Sequence, residues 1–280
     1  AMATVMATAM VTVMAMVTAT DTVRIWKVIP RKRDIIYHTN LRKRMIKMLS
    51  KDVHNHLLPA VDDGFQNAED SLKAIRKLSE QGCRELVFTP HFNPDVYPDM
   101  TEEKLRAAYQ DFVKQIPSEW NVRTSLAAEY MIVNGFHHRV EASPETLLSY
   151  EDGSVLIEMS YMYKSRNLED TIFALNMAGK TPILAHPERY TYMADRLSDF
   201  ERLAGMGCRF QMNYLSLSGM YGRASMKILN FLLKNNLYSF AATDLHSLAQ
   251  LDKIIHIRPA GLMTGPRFRR FCRSADKQDR

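Results

Sequence analysis

The sequence predicts an α/β fold, a distorted seven-stranded (β/α)7 barrel of the TIM-like type. Short runs rich in β-forming residues alternate with helical runs whose apolar residues recur every three or four positions. Such alternation favours parallel strands joined by right-handed crossovers. Histidine or acidic residues follow six of the seven predicted strands. A closed or nearly closed barrel brings all of those strand ends to one mouth, whereas an open sheet would spread them out.

The seven strands are predicted from the β-rich runs and the polar residues that end them. They cover residues 52–56, 85–89, 122–128, 154–157, 181–185, 208–212 and 238–242. The main helices are predicted near 67–81, 101–116, 168–178, 197–206 and 225–234, with a smaller helical excursion at 134–150. Gly82, Gly179 and Gly207 stand where three of these helices should end, a position that favours glycine.

Length and cysteine content bound the class of protein. With 280 residues and 46% hydrophobic content, the chain can bury one large core. Its three cysteines, Cys83, Cys208 and Cys272, are odd in number and widely spaced. This pattern is typical of a reducing compartment and argues against a disulfide framework. A cytoplasmic location is therefore expected.

Charge is distributed unevenly along the chain, and this decides how its basic character is interpreted. The net charge is +6, yet residues 21–51 carry ten Lys or Arg and two Asp or Glu. Residues 257–280 carry seven and two, which leaves residues 52–256 with a net charge of −7. Because the positive charge lies in the flanks, nucleic acid is excluded as the main partner.

Three segments are predicted. Residues 1–50 form a low-complexity and basic extension, residues 51–256 the folded domain, and residues 257–280 a basic, atypical tail. Residues 1–20 contain only Ala, Met, Thr and Val, enough to span a bilayer but weakly apolar. The extension is expected to be disordered, with a weak membrane anchor as the alternative. Membrane contact is expected through this flank alone, and the sequence does not predict an oligomeric state.

The strand-end residues point to a metal centre. His54 and His56 lie two residues apart on a strand, so both imidazoles face the same side. Later strand ends add more ligands of the same kind. The full set is His54, His56, Asp63, His91, Glu129, Glu158, His186, Asp244 and His246. So many carboxylates cannot converge without cations, because they would repel each other and take up protons.

The predicted cofactor is therefore a cluster of two or three metal ions. Nitrogen and oxygen ligands without cysteine suit manganese, iron or zinc better than calcium or magnesium. Each residue taken alone has a plainer explanation, such as a loop histidine or a surface carboxylate, and it is the shared location that argues for metal. No cysteine begins a Cys-x5-Arg phosphatase loop, and no Walker A or Gly-x-Gly-x-x-Gly motif is present.

Seven motifs in order resemble the polymerase-and-histidinol-phosphatase (PHP) superfamily. They are His54-Asn55-His56, Asp62-Asp63-Gly64, Thr89-Pro90-His91, Ala128-Glu129-Tyr130, Ile157-Glu158, His186-Pro187-Glu188-Arg189-Tyr190 and Thr243-Asp244-Leu245-His246. More narrowly, the chain is similar to the bacterial manganese-dependent tyrosine phosphatases of capsule and exopolysaccharide loci. The stretch Gln211-Met212-Asn213-Tyr214-Leu215-Ser216-Leu217 with Gly219 and Tyr221-Gly222 resembles the Bacteroidetes branch.

The resemblance implies a PHP phosphatase domain at 51–256 with a trinuclear site on the nine residues above. It implies hydrolysis of phosphotyrosine on the tail of a bacterial tyrosine kinase that controls polysaccharide export. Asp62 is assigned to the turn. Arg189 is the expected phosphate-binding residue, because Phe92-Asn93-Pro94 stands where some members have arginines. Asn93, Asn213 and Tyr190 are expected near the substrate.

The sequence departs from the family at two further places, of which the first should be tolerated because Asn55 is not a ligand, and the second keeps alternatives open. Asn55 stands where the family has serine, and Pro259, Gly261, Gly265 and Pro266 interrupt the closing helix that begins near Leu248. The alternatives are another PHP phosphoesterase, acting on histidinol phosphate or as an exonuclease, and a non-catalytic regulator that binds the kinase. A peripheral membrane protein held by the basic flank is a further one.

Overall fold

The computed structural model describes residues 50–257. The predicted extension, but for Ser50, and the predicted tail, but for Ile257, lie outside the described residues. Within residues 50–257, no helix combines the length and the apolar character that crossing a membrane requires.

Parallel strands alternate with helices through the described chain, so the predicted α/β class is confirmed. The strands are β1 (Lys51–Asp52), β2 (Glu85–Phe88), β3 (His91–Phe92), β4 (Arg123–Leu126), β5 (Glu129–Met131), β6 (Val155–Glu158), β7 (Pro182–Ala185), β8 (Arg209–Asn213) and β9 (Tyr238–Ala242). One sheet has the order β1-β2-β4 and the other the order β3-β5-β6-β7-β8-β9. All strand pairs in residues 50–257 are parallel.

Just beyond the predicted second and third strands, 85–89 and 122–128, the chain forms two further short strands, β3 and β5, in the other sheet. Pro90 interrupts the second strand, because proline has no N–H to donate to a ladder. In the third strand, Ala127 N still donates to Phe88 O at 2.8 Å, but Ala128 N donates to Leu148 O at 3.1 Å. Pairing resumes where Glu129 N donates to Pro90 O at 3.0 Å. The polypeptide thus leaves one sheet and enters the other at these two points.

The first and last strands meet just beyond their ends. Asn55 and Leu245 form an isolated parallel bridge, and His56 N donates to Leu245 O at 2.9 Å. The predicted first strand, 52–56, is therefore mostly extended chain beyond the two residues of β1. The ladders of residues 50–257 form two sheets and not a closed ring, so the closed barrel is not found.

Within residues 50–257, six α-helices connect the strands and a seventh follows the last strand. They are α1 (Ala68–Glu80), α2 (Glu102–Val113), α3 (Phe136–Ala142), α4 (Leu168–Met177), α5 (Ser198–Gly205), α6 (Gly222–Lys234) and α7 (Leu248–Ile255). Side-chain caps fix where two of them begin: Asn67 accepts from Asp70 N, and Thr101 accepts from Lys104 N. Helix α7 is the start of the closing helix that the sequence predicts, and Lys77 of α1 pairs with its Asp252.

The strand interiors supply an apolar base beneath the polar strand ends. Leu156, Ile183 and Ala185 form a buried cluster, against which Tyr150 and Phe240 pack. Burying such side chains is worth about 1.5–3 kcal/mol each. This base fixes the height of each strand, and therefore where the polar residue after each strand lies.

A buried carboxylate joins the two ends of the fold. Both side-chain oxygens of Asp52 accept from Thr243, one from its N–H at 2.9 Å and one from its hydroxyl at 2.6 Å. Neither residue is exposed to water. Asp244 N, one residue further, donates to His54 O at 2.8 Å. Asp52 therefore holds the segment after β9 beside the segment after β1.

Replacing Asp52 should destabilise the protein. Asp52→Ala leaves the buried N–H and hydroxyl of Thr243 without their acceptor, which costs about 1–3 kcal/mol. Asp52→Asn keeps one acceptor oxygen and should cost less. Urea denaturation in the presence of a chelator measures the change without any contribution from metal binding.

Asp111 provides the matched control for this measurement. Its side chain is 78% exposed, and among residues 50–257 it pairs with Lys114 alone, so Asp111→Ala should change the free energy of unfolding by less than about 0.5 kcal/mol. Equal stability of the Asp52→Ala and Asp111→Ala proteins would contradict the linking role of Asp52.

Candidate metal centre

All nine predicted metal ligands lie together at the carboxyl ends of the strands. They form three groups, and within each group the ligand atoms lie within 4.8 Å of one another. The groups are His56, Asp63, His91 and His246; His54, Glu129, His186 and Asp244; and His91, Glu129 and Glu158. His91 and Glu129 each belong to two groups, so the three positions share ligands.

Glu129 lies at the centre of this arrangement. Its Oε2 is 3.3 Å from His54 Nε2 and 3.0 Å from His91 Nδ1, and its Oε1 is 3.0 Å from His186 Nε2. The carboxylate is completely buried. A second carboxylate, Asp244, places Oδ1 at 3.4 Å from His54 Nε2. The imidazole nitrogens and carboxylate oxygens therefore converge on shared points, as ligands of one ion do.

Two candidate ligands have a backbone conformation that is unfavourable for residues other than glycine. His186 has φ of 32° and Asp244 has φ of 52°. Such left-handed conformations cost on the order of 1–3 kcal/mol in strained sites and persist where neighbours hold them. Here Gln211 Oε1 accepts from His186 N at 3.1 Å, and His54 O accepts from Asp244 N at 2.8 Å. This backbone conformation directs both side chains towards the cluster.

Asp62 orients one of the ligands, a role that adds to the turn assignment. Its Oδ2 lies 2.8 Å from His56 Nδ1 and accepts from His91 N at 2.9 Å. Its Oδ1 accepts from Gly64 N at 2.9 Å. Burial opposes ionisation of Asp62, but His56 and His91 outweigh it and hold its pKa at about 2. With Nδ1 held by a carboxylate, His56 presents Nε2 to the cluster.

Gly64 is required for this turn. A Cβ at this position would lie 2.4 Å from His56 O and 2.5 Å from His56 Cβ. Any side chain would therefore displace His56, whose ring must remain between Asp62 and the cluster. Asp63, the neighbouring acid, points outward and is 65% exposed, yet its Oδ1 lies 3.4 Å from His91 Nε2.

Gln211 orients His54 in the same way, and this role was not predicted from the sequence. Its Oε1 accepts from His54 Nδ1 at 2.9 Å, which leaves His54 Nε2 for the cluster. Gln211 is completely buried in β8, two residues before Asn213 and therefore on the same face. A polar residue between Phe210 and Met212, in the middle of a strand, is the signal that could have identified it.

The buried carboxylates of the cluster are stabilised by positive charge close to them. Burial raises the pKa values of Glu129 and Asp244, but the surrounding histidines outweigh it and hold both well below their usual range. Burial lowers the pKa of His91, but Glu158 and Glu129 raise it well above its ordinary value. Burial and the charge of His56 lower the pKa of His246 to about 4. Protons on histidine and bound cations compete for the same carboxylates.

Unsatisfied buried atoms indicate that the residues fit metal ions. His91 Nδ1, Glu129 Oε2 and His186 Nδ1 are buried without a well-aligned hydrogen bond in the described chain. His91 Nδ1 faces Glu129 Oε2 at 3.0 Å and Glu158 Oε1 at 2.9 Å, as ligands of a common ion do. Buried polar atoms are otherwise almost always paired. The donor set, imidazole and carboxylate without thiolate, suits manganese, iron or zinc.

Arg189 lies at the edge of the cluster, where the sequence predicts a phosphate-binding residue. Its Nη1 donates to Asp244 Oδ2 at 2.7 Å. Its guanidinium carbon lies 4.3 Å from the ring centroid of Tyr161 and 4.9 Å from that of Tyr221. Burial lowers the pKa of Arg189, but Asp244 outweighs it and raises the pKa above its ordinary value. The side chain stays 22% exposed and cationic at the mouth.

The three residues predicted near the substrate have different surroundings. Asn213 is buried and donates from Nδ2 to Asp244 Oδ2 at 2.8 Å. Tyr190 is also buried; its hydroxyl accepts from Met159 N, and its ring packs against His186. Asn93 begins a turn outside the three groups, where its side chain accepts from Asp95 N. Asn213 thus supports a candidate ligand, while the substrate role of all three stays a prediction.

Glu188 was not predicted to act, yet it joins the strands that flank the site. Its Oε1 accepts from Asn213 N at 2.8 Å and from the Ser216 hydroxyl at 2.7 Å. Its Oε2 accepts from the Tyr238 hydroxyl at 2.7 Å. Burial raises the pKa of this carboxyl despite these donors. Glu188 fixes the loop that carries His186 and Arg189 against β8 and β9.

Comparison with known proteins adds sequence relatives to this geometry. The family described as "Capsular polysaccharide synthesis, CpsB/CapC" matches residues 50–254. The tyrosine-protein phosphatase YwqE of Bacillus subtilis (strain 168) is 30% identical over 198 residues, covering 70% of this chain and 77% of the relative. The tyrosine-protein phosphatase CpsB of Streptococcus pneumoniae is 25% identical over 205 residues, covering 70% of this chain and 83% of the relative.

A solved structure shares the fold. It comes from crystal structures of YwqE from Bacillus subtilis and CpsB from Streptococcus pneumoniae, described as unique metal-dependent tyrosine phosphatases. It superimposes with a TM-score of 0.62 at 25% identity and covers 81% of this chain and 92% of that chain. The predicted membership of the capsule-locus tyrosine phosphatases is thereby confirmed, while the Bacteroidetes branch stays a prediction. Because the family match spans nearly all of residues 50–257, the chain belongs to the CpsB/CapC family of capsular polysaccharide synthesis.

Proposed function

We propose that this protein is a metal-dependent protein-tyrosine phosphatase that acts in the regulation of capsular or exopolysaccharide synthesis. The observation that carries the proposal is the convergence of five histidines and four carboxylates in three overlapping ligand groups, with Arg189 beside them. The relatives YwqE and CpsB are named tyrosine-protein phosphatases. Hydrolysis of a phosphate monoester needs an activated water and positive charge beside the phosphoryl oxygens, which bound metal ions and Arg189 would supply.

The metal would be held by the nine residues of the three groups, with two or three manganese ions as the proposed occupants. Ions of this kind supply hydroxide from water near neutral pH and offset the negative charge of phosphoryl oxygens. The chain's own part is to hold the ligands: Asp62 fixes His56, and Gln211 fixes His54. Because all but Asp63, His91 and His246 are fully buried, the ligands move little when an ion binds.

Arg189 is the proposed binding group for the phosphoryl group. A guanidinium can pair with two phosphate oxygens at once, which a lysine cannot do. In the structure one of its nitrogens is committed to Asp244. The other donors of the fork remain for the substrate. The contacts with Tyr161 and Tyr221 limit its rotamers, so less side-chain entropy is lost on binding.

The proposed substrate is phosphotyrosine on the tail of a cognate bacterial tyrosine kinase in the same pathway. The family description, capsular polysaccharide synthesis, supports this partner. A cytoplasmic site of action follows from such a partner. We also propose residues 51–256 as the catalytic domain, with the two sheets acting as one distorted seven-stranded barrel. The contact between Asn55 and Leu245 supports the barrel.

Phosphatase activity should depend on metal and on the candidate ligands. With Mn²⁺, the purified full-length chain should release phosphate from a phosphotyrosine peptide, and excess chelator should abolish the release. His186→Ala and Asp244→Ala should each lower kcat/KM by at least about 100-fold, because each removes a proposed ligand and leaves buried charge unpaired. Phosphate release under steady-state conditions measures both effects.

His138→Ala is the control for these variants. This histidine is 74% exposed on α3 and pairs with Glu141, so its loss should not change kcat/KM. Histidinol phosphate and single-stranded DNA, tested beside the peptide, separate the proposal from other PHP activities. Full activity in excess chelator, or preference for either of those substrates, contradicts the proposal.

Removing Asp62 should weaken metal binding even though Asp62 is outside the ligand groups. Asp62→Ala frees the ring of His56, and losses of an orienting carboxylate typically cost 10–100-fold in affinity. Asp62→Asn should have an intermediate effect, because one amide oxygen cannot serve both His56 and Gly64. Metal content at limiting Mn²⁺, measured by mass spectrometry, gives the affinity. Wild-type affinity in both variants would rule out the orienting role.

Arg189 should matter for substrate and much less for metal. Arg189→Lys keeps the charge but loses bidentate pairing, so kcat/KM for a phosphotyrosine peptide should fall by about tenfold or more. Bound manganese per chain should remain near the wild-type value. Loss of metal in step with activity would instead assign Arg189 to holding Asp244.

A further inference from the structure

Exposed apolar side chains are concentrated beside Arg189. Tyr161, Met162 and Tyr163 are consecutive, and they are 42%, 83% and 67% exposed. They lie between β6 and α4, shortly after the candidate ligand Glu158. A further exposed methionine, Met220, precedes Tyr221 between β8 and α6. We call Tyr161, Met162, Tyr163, Met220 and Tyr221 the apolar rim.

The apolar rim is continuous with the candidate metal centre. Tyr161 and Tyr221, one from each segment, both contact the guanidinium of Arg189. The Tyr161 hydroxyl lies 3.4 Å from Nε2 of the buried His186. The rim therefore begins at groups proposed to bind the phosphoryl group and extends outward into solvent.

Hydrogen bonds hold the first segment of the rim in place. Ser160 O accepts from the Tyr192 hydroxyl at 3.0 Å, and Ser160 Oγ accepts from Met162 N at 3.1 Å. At the other end, Ser165 Oγ donates to Ile132 O at 3.3 Å. A segment fixed at both ends presents its apolar side chains in a defined place. Single exposed apolar residues are ordinary, but contiguous ones typically mark an interaction site.

The charge beside the rim indicates the chemistry of the occupant. Arg166 and Arg223 lie in or directly after the same two segments and are exposed. Neither forms an ion pair with any residue of 50–257. Unpaired arginines beside an apolar surface favour an anionic ligand that also carries apolar side chains. A phosphorylated peptide satisfies both conditions.

We propose that the apolar rim binds the residues that flank phosphotyrosine in an extended peptide of the protein substrate, and selects apolar side chains there. This inference rests on the proposed phosphatase function. An extended chain advances about 3.3 Å per residue, so the neighbours of a phosphotyrosine held at Arg189 lie within about 7–10 Å of it. The rim begins at that point, because Tyr161 and Tyr221 contact Arg189 directly. Specificity then comes from the rim and chemistry from the metal centre.

The test couples changes in the enzyme with changes in the peptide. The full-length chain with Mn²⁺ is assayed on two phosphotyrosine peptides that differ only in having leucine or serine on both sides of the phosphotyrosine. Wild type should favour the leucine peptide by about tenfold in kcat/KM, as burial of one large apolar side chain predicts. The double variant Met162→Ser, Tyr163→Ser should reduce this preference to about twofold or less. p-Nitrophenyl phosphate, which has no flanking residues, serves as the reference substrate.

Met177→Ser is the matched control. Met177 is 72% exposed, like Met162, but it ends α4. The carboxyl end of a crossover helix lies at the edge of the sheet opposite the strand ends that carry the site. The Met177→Ser protein should therefore keep the full preference for the leucine peptide.

Three results would overturn the inference. They are an unchanged preference in the rim variant, an equal loss in Met177→Ser, and a rim that instead supports sedimentation with anionic lipid vesicles while the peptide preference stays unchanged. Failure of the proposed function looks different. In that case wild type with Mn²⁺ hydrolyses neither peptide nor p-nitrophenyl phosphate.

Discussion

The carboxylate of Glu129 is the interaction on which the site depends. It is completely buried, and nitrogens of His54, His91 and His186 lie within 3.3 Å of its two oxygens. A buried carboxylate is costly unless cations or donors surround it, so the histidines and the proposed ions are mutually required. The same charge that makes the cluster expensive to bury gives it affinity for divalent metal. Asp62 and Gln211 then decide which nitrogen each histidine offers.

The site also requires that residues 54–56 and 244–246, from the two ends of the fold, lie side by side. Neither β1 nor β9 reaches the site as a regular strand; the segments that follow them do, joined by the bridge between Asn55 and Leu245. The buried pair of Asp52 and Thr243 fixes this junction from below. Asp244 can then hold its left-handed backbone, because the N–H beside the strained φ is bonded to His54 O. The strained backbone at Asp244 costs stability, and the hydrogen bonds between Asp52 and Thr243 offset this cost.

Much of this could be predicted from sequence, because parallel strands place their carboxyl ends at one edge. The alternation of elements predicted the α/β class, and the order of strand-end residues predicted the nine groups that lie together. The closed ring of seven continuous strands was not found, since its breaks depend on which carbonyl accepts from Ala128 N. Asp62 was assigned to the turn, where its Oδ1 accepts from Gly64 N, but its contact with His56 was not predicted for a similar reason. Its partner His56 is chosen by the path of the turn at Gly64, which a linear pattern does not contain.

Charge explains why local contacts have to carry substrate binding. Residues 52–256 have a net charge of −7, so at long range this part of the chain repels an anionic phosphopeptide. Screening shortens that repulsion to about 8–10 Å at physiological salt, and within this distance Arg189 and the proposed ions dominate. Arg189 is already bonded to Asp244, and this carboxylate offsets part of the positive charge that would attract the phosphate. Apolar contact does not depend on the net charge. The proposed contact between the apolar rim and the peptide would therefore add affinity beside Arg189, where Asp244 weakens the electrostatic attraction for phosphate.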